Sequence, residues 1–224
     1  MTRSAASETR ELTIPPVGVP GTLLIPRAAH AIVVFAHGSG SSRLSPRNRA
    51  VGEALNAQGF ATLLFDLLTE DEEADRANVF DIPLLAGRLA DAIGWLERDA
   101  WAGGVPLGLF GASTGAAAAL VAAANTGDRV GAVVSRGGRP DLAGAALARV
   151  RAPTLLIVGG ADHGVIALNE QALAQLRVPK ALEIVPRASH LFPEPGAMEA
   201  VIAHAAHWFT RYLVTPARGR ASRA

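Results

Sequence analysis

The residues of this chain with the clearest capacity for chemistry are Ser113, Asp162 and His190, together with a glycine- and serine-rich stretch at 37–42. Ser113 lies in Gly111-Ala112-Ser113-Thr114-Gly115, a G-x-S-x-G. Residues 105–110 before it are apolar and short, as a buried strand is. An alanine-rich run with Leu120 and Val121 follows, built from strong helix formers. Strand, sharp turn and helix is the setting in which G-x-S-x-G forms a nucleophile elbow, with the serine oxygen pushed out at the top of a sheet. The motif alone is a weak signal in a chain rich in alanine and glycine. Its flanks make it a stronger one.

A serine hydroxyl attacks a carbonyl well only when a base takes its proton. His190 is the candidate base, and then the acid that protonates the leaving group. Asp162, at the end of Gly159-Gly160-Ala161-Asp162, would fix the histidine tautomer and stabilise the imidazolium. The oxyanion needs preorganised donors. The backbone N–H of Thr114, at the start of the alanine-rich helix, is one candidate, helped by the helix dipole. The N–H of Ser39 is the other, because Gly38 and Gly40 let that backbone turn inward.

Each assignment has rivals. His204 and His207 fall in the last helix, and His30 precedes a strand at its amino end. His163 would share a turn with its own orienter. His37 is expected to brace the oxyanion loop by hydrogen bonding. Asp66 also ends a strand and competes with Asp162, as does Asp141.

The elements that must position these groups alternate along the chain. Weak strand candidates at 12–14 and 22–25, separated by PPVGVPG, suggest an antiparallel leading hairpin. Apolar runs at 31–36, 60–65, 105–110, 130–134, 154–158 and 182–185 read as strands. Helices are expected at 47–58, 83–98, 114–126, 142–148, 166–176 and 197–212. Residues 67–82 form a long connection with an acidic patch at 70–75, read as a solvated loop or as a rim or lid over the site. The pattern predicts an α/β fold: a mostly parallel twisted sheet, antiparallel at the leading hairpin, with helices on both faces. Some 20 residues link the strands at 134 and 154, which leaves no room there for an inserted cap. One domain over 12–213 is expected, with flexible termini at 1–11 and 214–224.

The 224-residue length and 50% hydrophobic content suit one domain with a sizeable core. Net charge is only +1, which gives no electrostatic footprint for nucleic acid or an anionic membrane. Cysteine is absent, so disulfides, thiolate metal sites and a cysteine nucleophile are excluded. No signal peptide and no membrane span is recognisable, so a cytoplasmic location is expected. Five arginines, Arg43, Arg47, Arg49, Arg136 and Arg139, fall on the side of the expected site. Arg43 and Arg136 are the candidates for holding a substrate carboxylate or phosphate, against a plainer role in surface pairing.

Together HGSG, GASTG, GGADHGV and ASHLF resemble the α/β-hydrolase superfamily, nearest its small cap-less dienelactone-hydrolase-like branch. The resemblance covers about residues 12–213. It implies Ser113 as nucleophile, Asp162 as acid, His190 as base and an oxyanion hole at Ser39 and Thr114. It further implies an ester hydrolase with no metal or organic cofactor, acting on a small-molecule ester. Dienelactone hydrolase itself uses cysteine where this chain has Ser113. Thioester hydrolysis or perhydrolysis on the same triad, and a catalytically silent binding protein of this fold, are the alternatives. The sequence is compatible with a monomer or a homodimer.

Overall fold

The computed structural model of the chain describes residues 7–214. Eight strands form one sheet: β1 (Glu8–Ile14), β2 (Val19–Ile25), β3 (Ala31–Ala36), β4 (Phe60–Phe65), β5 (Leu107–Ala112), β6 (Ala132–Arg136), β7 (Thr154–Gly159) and β8 (Lys180–Val185). Their order across the sheet is β1-β2-β4-β3-β5-β6-β7-β8. β2 runs antiparallel to both β1 and β4, and every other pairing is parallel. The expected leading hairpin and parallel body are both present.

The central strands β3, β4, β5 and β7 are buried along their whole length. Such strands must be covered on both faces. One face is covered by α1 (Pro46–Ala57) and α7 (Ala197–Phe209), through Val51, Leu55, Val201 and Phe209. The other is covered by α4 (Ile82–Arg98), α5 (Thr114–Thr126), α6 (His163–Gln175) and a 3-10 segment over Pro140–Arg149. The alanines of α5 suit this place. With side chains of one carbon, Ala116 to Ala119 bury completely and bring the helix close to the sheet.

Three segments differ from the sequence reading. β1 begins at Glu8, where a frayed end was expected, and Glu8 pairs with Ile25 of β2. Its alternating half-buried and exposed side chains are those of an edge strand, whose outward polar residues imitate disorder in sequence. The connection at 67–82 contains two short helices, α2 (Glu70–Ala74) and α3 (Arg76–Val79). A capping box between Thr69 and Glu72 starts α2. The 140–149 segment is 3-10 rather than α-helical and is broken at Gly144, whose φ is 52°. Residues 1–6 and 215–224, expected to be flexible, lie outside the described residues.

Chain order reverses direction across β3, which has β4 on one side and β5 on the other. Ligands in such sheets sit in the crevice at that switch, beyond the carboxyl ends of the strands. Here the crevice is narrow. A Cβ added to Gly115 would come within 2.3 Å of the Ala36 carbonyl oxygen and 2.4 Å of that of His37. Neither is a side chain that can swing aside. Gly115→Ala is expected to destabilise the fold by about 1–3 kcal/mol through overpacking. The measurement is the urea midpoint at unchanged slope, and an unaltered midpoint would show that α5 does not pack this tightly.

Candidate active site

The turn from β5 into α5 places Ser113 at φ 52° and ψ −123°, a backbone conformation that L-residues rarely adopt. Two bonds hold it there from the β6 side. The Ser113 N–H donates to the Arg136 carbonyl at 3.3 Å, and the Arg139 N–H donates to the Ser113 carbonyl at 3.1 Å. Ser113 occupies the N-cap of α5, yet its side chain caps nothing. Its hydroxyl is therefore free for other work.

Asp162 stands at the N-cap of α6 and likewise makes no cap bond. Its Oδ2 instead accepts from Nδ1 of His190 at 2.7 Å. With Nδ1 carrying that proton, Nε2 of His190 is left as an acceptor. The loops bearing the pair are stitched together, Ala161 N–H to the Ala188 carbonyl at 2.9 Å and Gly160 N–H to Val185 at 2.8 Å. Glu194 closes the histidine loop by accepting the Ser189 N–H at 3.0 Å, and that bond lowers its carboxyl pKa.

Ser113 and His190 line one pocket of about 270 Å3 with Gly38, Ser39, Arg47 and Arg136. The Ser113 hydroxyl and the imidazole share this space without a direct hydrogen bond. Unliganded sites often hold that contact long. The rival groups are engaged elsewhere. Asp66 accepts the Arg43 N–H at 2.6 Å and lies 3.4 Å from the Arg43 guanidinium. Asp141 pairs with Arg139. His163 is exposed, and His30 packs edge-on against Phe60.

Of the two expected oxyanion donors, Thr114 is the first residue of α5, where an N–H has no acceptor within its own helix. The Ser39 N–H is spent in the resting site on Thr114 Oγ1, at 2.9 Å. Gly38 lies directly against Ser113, since a Cβ there would meet the Ser113 Cβ at 2.9 Å. His37 braces this loop as expected. Its Nε2 accepts the Leu67 N–H at 3.0 Å, so the proton resides on Nδ1, 3.1 Å from the Gly38 carbonyl. A second pocket of about 320 Å3 shares Gly38, Ser39 and Ser41 with the first and is also lined by Arg43, Asp66, Glu70 and Glu73. The acidic segment is thus a rim of this neighbouring pocket.

The two arginines singled out from sequence part company. Arg43 is neutralised by Asp66 and lines the second pocket, whereas Arg136 shares the pocket of Ser113 and His190. Sequence reasoning missed Glu194, Asn48 and Asn169. Asn48, buried in the first turn of α1, accepts from Arg136 at 3.3 Å. Asn169 of α6 donates to the Gly138 carbonyl at 3.0 Å. Their roles are visible only once distant elements meet. No group of three His, Cys, Asp or Glu side chains placed to hold a metal ion occurs among the described residues.

The model of the dienelactone hydrolase family matches residues 19–213. The chain belongs to this family. It is 56% identical to a dienelactone hydrolase of Anabaena variabilis, whose crystal structure superposes with a TM-score of 0.88 over 92% of this chain and 98% of that one. XC6422 from Xanthomonas campestris, described as an α/β serine hydrolase without lid, shares the fold at 22% identity and a TM-score of 0.73, over 96% and 98% of the two chains. Two Mycobacterium tuberculosis proteins provisionally named phosphoribosyl transferases are 59% identical over 201 residues. That stretch is 90% of this chain and 45% of theirs, so the chain spans about half the length of these curated relatives. The fold is the α/β-hydrolase fold, and no cap interrupts the described residues. No helix among them is long and apolar enough to cross a membrane.

Burial holds the His37 pKa below the usual imidazole value. The unfolded chain therefore takes up this proton first. The stability that neutral His37 contributes is complete above about pH 6.5 and is lost as pH falls from there toward the lower folded pKa. One such proton contributes a slope of at most about 1.4 kcal/mol per pH unit. His37→Gln is expected to flatten the fall in urea midpoint between pH 7 and pH 5. An identical fall in both proteins would show that His37 is not held neutral.

Proposed function

We propose that the chain is a serine hydrolase that cleaves carboxylic esters of small molecules through an acyl-enzyme, with Ser113, His190 and Asp162 as its triad. The observation that carries this reading is the 2.7 Å bond from His190 to Asp162, made beside a serine on a strained elbow in the same pocket. Membership of a hydrolase family supports the reaction class.

In this reading His190 Nε2 takes the proton of Ser113 Oγ as the oxygen attacks the ester carbon. The tetrahedral oxyanion is held by the N–H of Thr114 and by that of Ser39, which exchanges Thr114 Oγ1 for the new charge. Asp162 holds the imidazolium in register. Collapse breaks the bond to the alcohol oxygen, which leaves with the proton from His190. Water, deprotonated by the same ring, then attacks the acyl carbon and restores Ser113. Each lost oxyanion donor would raise the barrier by about 2.7–4 kcal/mol. Thioester cleavage or perhydrolysis would use the same groups. The longer mycobacterial relatives bear a different name, but the 201 residues they share with this chain are long enough to overlap most of the part that the hydrolase family model matches. The reading places this activity in the cytoplasm, with a monomer or homodimer equally able to perform it.

Wild type is expected to hydrolyse p-nitrophenyl butyrate. Ser113→Ala and His190→Ala should each lose roughly 10⁴-fold or more in kcat, with the double variant no worse than either single. Because Ser113 caps nothing, Ser113→Ala should leave the thermal midpoint within a few degrees of wild type. Persisting turnover in a folded Ser113→Ala protein would refute the assignment.

A further inference from the structure

Arg136 ends β6 and is only 5% exposed, yet no carboxylate pairs with it among the described residues. One Nη donates to the neutral Asn48 side chain, and its Nε is buried without a partner. Arg47, in the first turn of α1, also has a buried and unpartnered Nε. Both residues line the pocket that holds Ser113 and His190. Burial, and then Arg47 beside it, pushes the Arg136 pKa down to about 10, so it stays charged near neutral pH. Asp162 is already committed to His190. The buried Arg136 and the half-buried Arg47 thus border one space, and among the described residues no carboxylate pairs with either.

A protein does not keep a buried cation such as Arg136 unpaired for the sake of stability, because it costs solvation that no partner returns. Two other arginines near the site are neutralised, Arg43 by Asp66 and Arg139 by Asp141. The missing partner is therefore a ligand. Guanidinium forks suit oxyanions. A carboxylate would cancel one charge of the two. The pocket of about 270 Å3 must also admit the scissile ester, which favours one compact dianion over two separate carboxylates.

We propose that Arg136 and Arg47 form a subsite for a phosphate monoester dianion carried by the ester that Ser113 cleaves. The subsite rests on the reading of Ser113 as the ester-cleaving nucleophile. The dianion sits against the guanidiniums while the ester carbonyl reaches the hydroxyl and the oxyanion donors. Inorganic phosphate alone should occupy the same place and exclude substrate.

The test compares p-nitrophenyl esters of butanoic, succinic and 3-phosphonopropanoic acids, and butyryl glycerol with its phosphorylated counterpart. The first set puts the dianion on the acyl side and the second on the alcohol side. Preference for the phosphonate or phosphate member in either set, by roughly 10- to 100-fold in kcat/KM over the neutral one, supports the subsite and tells which side carries the charge. Arg136→Met and Arg47→Met should each erase most of that ratio. Inorganic phosphate should inhibit butyrate ester hydrolysis competitively in wild type and far less in either variant. Arg136→Met should melt no lower than wild type, since it removes an unpaired charge. If it fails to fold, the structural role of Arg136 is the greater, and Arg47→Met decides the binding claim. Equal preference for succinyl and phosphonate esters overturns the dianion. Preference for neutral esters with no phosphate inhibition overturns the subsite and leaves the esterase reading standing. If no ester is cleaved, an Arg136-dependent rise in melting temperature with phosphate would still show the subsite, and its absence would remove it.

Discussion

The constraint on which the site depends is the close approach of α5 to the ends of β3 and β5. It forces the chain to turn within one residue, and Ser113 takes that turn at a positive φ. Glycine would occupy this conformation at little cost, while serine stores strain of order 1–3 kcal/mol. The sheet and the loop after β6 hold the turn from outside, through the Arg136 carbonyl and the Arg139 N–H. The same approach sets Gly38 against the serine and delivers the amino end of α5 to the place where negative charge would develop. The placement of Ser113, the proposed oxyanion donors and the helix dipole all follow from one packing geometry.

A second regularity runs through the site. Two helices begin with residues that ordinarily cap them well, Ser113 on α5 and Asp162 on α6, and neither caps. A side-chain cap typically contributes about 1 kcal/mol. Here both side chains are turned to other uses, Asp162 to His190 and Ser113 to an open pocket. Arg136 and Arg47, which line the pocket of Ser113 without a carboxylate partner among the described residues, are a further departure. Local rules fail together in one place, as they do where function outweighs stability. The large two-sided core of alanine, valine, leucine and phenylalanine supports this concentration of cost.

Much of this was legible in the sequence, for reasons that differ by element. The buried parallel strands announce themselves as apolar runs, because both faces are covered. The residues just past them, His37, Asp66, Ser113, Gly137 and Gly160, mark the candidate-site end of the sheet too. Ser113, Asp162 and His190 follow from those strand ends. The polar alternation of Glu8 to Glu11 hid an edge strand, because period two with exposed charge looks like a frayed end. The short helices within 67–82 were hidden by their length, which is below what periodicity can show. The arginines could be placed near the site but not sorted. That needed the partners, and Asp66 and Asp141 become partners only through the fold. The bond from Ser39 to Thr114 joins residues 75 apart and leaves no local trace.

The account stands or falls on a covalent bond to Ser113. Acid quenching of the protein milliseconds after mixing with excess p-nitrophenyl butyrate, followed by digestion and mass spectrometry, reads that bond directly. The account predicts a butyryl increment on the peptide containing Ser113, formed at the rate of the p-nitrophenol burst. Turnover with an unmodified Ser113 peptide, or with the acyl group on another residue, would contradict it.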